Sequence, residues 1–489
     1  MTMLNQRSPR GSSARISHMS TRKQRKKANK IIINQLPPEI LSYIMLFGVE
    51  SDRRVWSWDT STIGSQWVAS QVCRHWRDVA INTPFLWTFV PIRNALLSDY
   101  TSLKLTRAGS TALLDIAVDM ACPEGYRINT DGGLFSRILY FLITHGAESY
   151  RWKALLIRSG VDQSQTLTDL AAFTGQHSVP NLQRLCFDCS KRADETQESR
   201  SSQISFGSLS NLRYLELISS PHDHSFLSVQ SFTKLTTLAI VSYGLDSARL
   251  SNVILSNPQL ETLRLKDGNR SLGHRFANIS HINRIKAPSL RWLLIQTGSN
   301  PSWALCMAIT IHAPGLHHFA LRCGSIHPDR LQRLMAYITT GVRSPNLTKS
   351  DSAGNSIYPS LRSLDICRIS CQKDTFQSLI SSFLHLTHLT AGIEQVGWMH
   401  EAPWMLPKLR YLGAHGLPAK NDAIMGLLSR RGDIGIPINE IWVQGGCLRL
   451  RATHHKPLSC QNYIPSVAFA YEYYEHEDVV IEEDLQVLR

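Results

Sequence analysis

Apolar residues along this chain change their spacing twice. In INQLPPEILSYIMLFG (33–48), Ile40, Leu41, Ile44 and Met45 recur at helical intervals and predict an amphipathic helix. Pro37 and Pro38 suit its first turn, where a missing N–H costs nothing. Glu39 suits the positive end of its dipole, and Gly48 is a natural stop. A second helix is predicted over 67–84, with Val68, Val72, Cys73, Trp76, Val79 and Ala80 on one face. Arg74, His75, Arg77 and Asp78 take the other face, and Asn82 and Pro84 end it. FLWTFVPI (85–92) then has the β-branched and aromatic makeup of a strand.

A different rhythm follows. The phrase Leu-x-x-Leu-x-apolar, often introduced by Pro, recurs at 180–187, 210–217, 233–240, 258–265, 288–295, 314–321, 359–366, 384–391 and 407–414. Its first anchors are spaced by 30, 23, 25, 30, 26, 45, 25 and 23 residues. Weaker copies are LLDIAV (113–118), WKALLI (152–157) and INEIWV (438–443). The second and third anchors are two residues apart, which puts them on one face of a short strand. Amphipathic helices with capping residues are predicted between phrases: from Asp246, from Asp329 to Tyr337, from Asp374 to Leu384, and from Asn421 to Leu428. The longest step holds SPNLTKSDSAGNS (344–356), a polar loop. A unit of one strand and one helix cannot bury its own apolar face, so neighbouring units must stack.

The N-terminal helices resemble the F-box, a three-helix module that docks onto the Skp adaptor of cullin-RING ubiquitin ligases. The matching residues are Leu36-Pro37, Glu39-Ile40-Leu41 and Ile44, then Val72-Cys73, Trp76-Arg77, Val79-Ala80, and Pro84, Leu86 and Trp87. The order of these matches is typical of fungal members. Residues 49–66 separate the helices by more than the minimal module needs. The resemblance implies adaptor contacts from Leu36, Pro37, Ile40, Leu41, Ile44, Val72, Cys73 and Trp76. Physical chemistry points the same way: a module of about fifty residues cannot turn all its apolar side chains inward, and a partner must cover the rest.

The phrases resemble leucine-rich repeats over roughly 110–445. The Asn that normally follows the strand is absent from all nine copies; Ser190, Ser220, Tyr243, Gly268, Gly298 and Gly324 stand there in the first six. The expected fold is therefore α/β: an N-terminal F-box-like helical module (31–90), then an irregular leucine-rich-repeat-like solenoid (91–450) with a strand and a helix per repeat. Such a solenoid would carry Tyr214, Arg264, Lys266, Trp292, His318, Arg322, His388 and Tyr411 between its buried anchors, on the face that meets a target. Tyr214, Arg264, Trp292, His318, Arg322 and Tyr411 are the candidate target-binding residues, centred on Trp292, His318 and Arg322, because aromatics and Arg form interface hot spots.

Composition narrows the alternatives. The net charge of +14 divides into +9 over residues 1–30, which hold nine Lys and Arg and no acid, −6 over 471–489, which hold seven acids and one Arg, and +11 over the body between them. The body keeps only a mild, dispersed positive excess, with no basic helix interleaved with aromatics, which speaks against nucleic acid as the partner. The basic tail (1–30) is expected to be disordered. Its RKQRKK run (22–27) fits a nuclear import signal, and its Arg- and Ser-rich texture is also like a mitochondrial transit peptide without the amphipathic stripe. The C-terminal segment (451–489) ends in an acidic, solvated tail. No apolar run is long enough to span a membrane, and a cytoplasmic or nuclear location is expected. The ten cysteines read as free thiols; Cys186 and Cys189, and Cys367 and Cys371, lack the second pair that zinc would need. No nucleophile elbow, phosphate loop, dinucleotide fingerprint or His-Glu-x-x-His occurs, and the adjacent His317-His318 and His454-His455 are poor joint ligands. The chain is thus expected to be no enzyme and to need no cofactor. Two readings remain: a ligase subunit linking the Skp adaptor and cullin scaffold to a target protein, or a protein-binding scaffold whose N-terminal helices only cap the solenoid.

Overall fold

The computed structural model describes residues 36–54, 64–93, 99–120, 133–159, 163–188, 209–218, 232–242, 247–267, 284–297, 301–323, 357–369, 371–415, 421–444 and 448–451, and five residues between 332 and 338. The basic tail, Cys189, the 344–356 loop, His454-His455 and the acidic tail lie outside the described residues. The chain forms two compact units. The smaller draws on residues up to 90 and on 98–114; the larger draws on 91–97 and 115–470.

The smaller unit contains α1 (Pro38–Arg54), α2 (Ser65–Val72), α3 (Arg74–Ile81), a 3₁₀ turn (Pro84–Trp87) and α4 (Asp99–Ala108). Leu41, Met45 and Val49, one helical turn apart, enter a core with Ala69, Val79, Ala80, Leu86 and Trp87. The Trp87 indole N–H donates to the Ala80 carbonyl at 2.8 Å, which allows a large polar-edged ring to be fully buried. Three expectations need correction. Gly48 does not stop α1, which runs on to Arg54. A Cβ at Gly48 would stand 3.3 Å from the Ser65 side chain, so the glycine permits a close approach of α2 instead. The helix predicted over 67–84 is broken at Cys73, whose backbone is extended and whose Sγ accepts from the Trp76 N–H at 3.5 Å. The break resets the helical phase. Gln66, Ala69 and Ser70 are buried in α2, and Val68 and Val72 face out. The strand predicted over 85–92 begins as the 3₁₀ turn and becomes extended only at Phe89.

The larger unit is mixed α/β. One 14-stranded sheet follows chain order: β1 (Phe89–Arg93), β2 (Leu114–Asp119), β3 (Trp152–Arg158), β4 (Arg184–Asp188), β5 (Tyr214–Ile218), β6 (Thr237–Ser242) and β7 (Thr262–Asp267) come first. The order continues through β9 (Trp292–Thr297), β11 (His318–Cys323), β12 (Ser363–Asp365), β13 (His388–Gly392), β14 (Tyr411–His415), β15 (Glu440–Gln444) and β16 (Leu448–Arg451). A separate small pair joins β8 (Ile285–Lys286) to β10 (Ile311–His312). Every neighbouring pair from β3 to β15 is parallel, and only β16 returns antiparallel. Parallel neighbours need a crossover, and helices supply several: α5 (Leu134–Thr144), α6 (Gln163–Gln176), α7 (Ser247–Ser256), α8 (Pro301–Thr310), α9 (Lys373–Ser381), α10 (Ile393–Met399) and α11 (Asn421–Asp433).

Each of the nine phrases and the three weaker copies contains one strand of this sheet. All nine first anchors, from Leu182 to Leu409, are at most 2% exposed. Burying one such leucine contributes about 2 kcal/mol. In the main sheet the turn before each strand from β5 to β15 is fixed by a repeated backbone device. The Arg291 carbonyl accepts the N–H groups of both His317 and His318, the His317 carbonyl those of Arg362 and Ser363, and the Arg362 carbonyl those of Thr387 and His388. This chain of paired bonds locks neighbouring strands in step, so equivalent residues line up across the sheet. Helix junctions are tied by buried side-chain amides. Asn257 donates to the Val253 carbonyl and accepts from the Leu235 N–H, and Gln395 donates to the Ile369 carbonyl and accepts from the Gly392 N–H. Among the described residues no helix is long and apolar enough to cross a membrane.

Candidate functional site

Two surfaces combine the residue types that bind partners. The first lies on the smaller unit. Opposite the buried Leu41–Met45–Val49 line, α1 holds Ile40, Tyr43, Ile44 and Phe47 in solvent, with Phe47 75% exposed. Phe85 from the 3₁₀ turn is also exposed, and a groove of about 380 Å³ runs between Tyr43, Phe47, Val49, Arg53, Phe85 and Thr88. Val68 and Val72 add exposed apolar surface from α2. Among the described residues, eleven of eighteen large exposed hydrophobic side chains belong to this smaller unit.

The residues implied as adaptor contacts divide accordingly. Pro37, Ile40, Ile44 and Val72 are exposed; Leu36, Cys73 and Trp76 are half-buried. Leu41 is fully buried, so it supports the helix from within and presents nothing to a partner. Cys73 acts as a helix cap, and the Leu36 carbonyl lies 3.3 Å from His75 Nε2. The Trp76 indole nitrogen is buried with no hydrogen-bond partner among the described residues. Sequence reading passed over Tyr43, Phe47 and Phe85. The signal was present for the first two, which stand three and seven residues after Ile40 on one helical stripe.

The second surface is the polar face of the sheet. Register places Tyr214, Thr237, Thr262, Trp292, His318, Ser363, His388 and Tyr411 in one row across adjacent strands. Two positions further along, a second row runs through Arg264, Leu294, Ala320, Asp365, Thr390 and Gly413. Thus all six candidate target-binding residues share a face, though not one cluster. Trp292 and His318 stack with ring centroids 4.1 Å apart, and His388 and Tyr411 stack at 4.2 Å. Arg322 donates from Nε to Asp365 at 3.0 Å and is committed to that carboxylate. Tyr214 lies three strands from Trp292, in a self-satisfied group. Its hydroxyl donates to Glu216 at 2.9 Å, the Arg184 guanidinium covers its ring at 4.5 Å, and the Cys186 thiol donates to Glu216 at 3.4 Å.

Burial, then the neighbouring His388, His317 and Arg362, push the His318 pKa down to about 4, so this ring is neutral at pH 7. Burial, reinforced by Glu216, pushes the Cys186 thiol up to about 12, and burial raises Cys323 to about 12 and Cys371 to about 11. Thiols held this high are poor nucleophiles. Among the described residues no group of three or more His, Cys, Asp or Glu is placed to hold a metal ion. Comparison with known protein families finds no match, and no curated protein matches the chain.

Proposed function

We propose that this chain is a non-enzymatic, target-recruiting subunit of a ubiquitin ligase. In this reading the N-terminal helices act as an F-box that docks the Skp adaptor and, through it, the cullin scaffold. The strand-and-helix succession acts as an irregular leucine-rich-repeat solenoid whose polar face takes a target protein. The observation that carries the reading is the segregation on α1: Leu41, Met45 and Val49 face inward, while Ile40, Tyr43, Ile44 and Phe47 lie in water. Apolar surface of this density on so small a unit calls for a partner. The sequential parallel sheet and its ring-bearing face support the second half of the reading. The contribution to ubiquitin transfer is proximity: one end holds the ligase and the other holds the target, raising the effective concentration of target lysines.

The test is co-purification of the Skp adaptor with the Ile40→Asp/Ile44→Asp double variant. Both residues are exposed, so the fold should persist while adaptor capture is lost. Truncating a hot spot costs on the order of 2 kcal/mol, and a buried interfacial charge costs more. Undiminished capture by the folded variant would falsify adaptor docking and favour the scaffold reading. Cytoplasmic or nuclear residence belongs to the same proposal and is checked by imaging the tagged chain.

A further inference from the structure

The row of rings on the sheet face has one missing member. Ser363 sits in register between His318 and His388 and contributes only a hydroxymethyl group, whereas Trp292–His318 on one side and His388–Tyr411 on the other are both stacked. Strands lie about 4.8 Å apart, so the two histidines, two strands apart, bracket a gap of roughly 9.6 Å. The stacked rings of this row stand 4.1 and 4.2 Å apart, so the gap fits one planar group between two faces.

Charge borders this gap on one side. Arg291, Arg362 and Arg410 occupy the turns entering β9, β12 and β14; all three are exposed, and none makes an ion pair among the described residues. Their field is felt locally: burial, then Arg291 and Arg362, hold His317 below the usual histidine range. On the floor of the face, Asp365 is already neutralised by Arg322.

We infer that this face binds an acidic peptide segment bearing one aromatic side chain, whose ring enters above Ser363 between His318 and His388 while flanking carboxylates meet the arginine rim. The inference rests on reading the face as the target surface. A peptide fits better than a nucleic acid, because the row offers one open ring position, and Glu261 interrupts the basic rim. A single strand of bases needs a succession of rings along a positively charged groove.

The test is fluorescence anisotropy of the full chain with a fluorescein-labelled heptapeptide, Glu-Glu-Glu-Tyr-Glu-Glu-Glu. We expect the peptide with Leu in place of Tyr to bind about tenfold more weakly, as for a ring stacked on both faces. Replacing every Glu by Gln should weaken binding and flatten its salt dependence. Ser363→Tyr fills the gap and should abolish the preference for Tyr over Leu. Arg362→Gln/Arg410→Gln should lower affinity for both peptides and keep that preference. Equal binding of the Tyr and Leu peptides to the native chain would overturn the inference, and so would tighter binding of a short labelled oligo(dT) than of the Tyr peptide. The native-chain ratio decides the matter even where Ser363→Tyr fails to fold. The adaptor plays no part in these titrations, so failure here with adaptor capture intact removes the peptide class alone, and loss of adaptor docking leaves this result standing.

Discussion

The two units use the same apolar residue types in opposite ways. In the sheet unit each leucine phrase is spent internally: nine first anchors are buried, and the two residues that follow each of them are polar or aromatic. In the helical unit the apolar residues outnumber the places available inside. Leu41, Met45 and Val49 fill the interior, and Ile40, Tyr43, Ile44 and Phe47 are left on the surface. The difference follows from geometry. A strand in a stacked sheet shares its core with neighbours on both sides, whereas a bundle of short helices has a high surface-to-volume ratio. Exposed hydrophobicity in the sheet unit is scattered; in the helical unit it is concentrated, on the surface we propose for adaptor docking.

Four experiments test this contrast, the largest effect first. Leu41→Asp puts a charge into the helical core and should cost on the order of 5 kcal/mol, enough to unfold that unit. Hydrogen exchange should show full loss of protection over residues 38–54. Arg431→Met addresses the interior of the sheet unit. Arg431 is fully buried and donates to the carbonyls of Pro403, Met405 and Leu406, the last a non-glycine residue at φ 54°. Burial lowers its pKa to about 10, so it remains charged at neutral pH. Its removal strands three carbonyls and should cost roughly 3 kcal/mol in urea denaturation.

The third experiment is a pH titration. His318 is depressed to about 4 in the folded chain. The unfolded chain takes up this proton near pH 6.5, so its contribution is fully present above that pH and is lost as pH falls towards 4. The loss should be about 1–3 kcal/mol, allowing for the partial exposure of the ring. His318→Phe should flatten the stability profile in that window; an unchanged slope would refute the assignment. The smallest effect is expected of Ile44→Ala on α1, only three residues from Leu41. Thermal denaturation should move by less than about 0.5 kcal/mol equivalent, since a surface side chain loses little burial. A large loss would mean that Ile44 is core and would erase the contrast between the two faces.

Much of the strand pattern was legible in advance. The phrase from Pro288 to Ile295 contains a buried entry anchor, Leu290, and two strand anchors, Leu293 and Ile295, at the spacing a pleat demands. The rings of Trp292 and His318 were readable as outward residues for the same reason. What they touch was not. Their stacking, the Arg322–Asp365 pair and the place of Ser363 between His318 and His388 depend on which strands become neighbours and in what register. Sequence reading also missed Asn257 and Gln395. They carry out buried amide bonding from positions at helix ends.

In the helices, spacing alone determined that a stripe existed, but not which half of it faced inward. Ile40 and Leu41 are equally apolar, and only the docking of α2 and α3 against α1 separates a buried residue from an exposed one. Gly48 and Cys73 make the same point: the chain signalled a stop and a continuous helix, and tertiary contacts produced a close approach and a break. Periodicity is a local property, written residue by residue along the chain. Burial is a property of the neighbours, and the neighbours are chosen only when the whole chain packs.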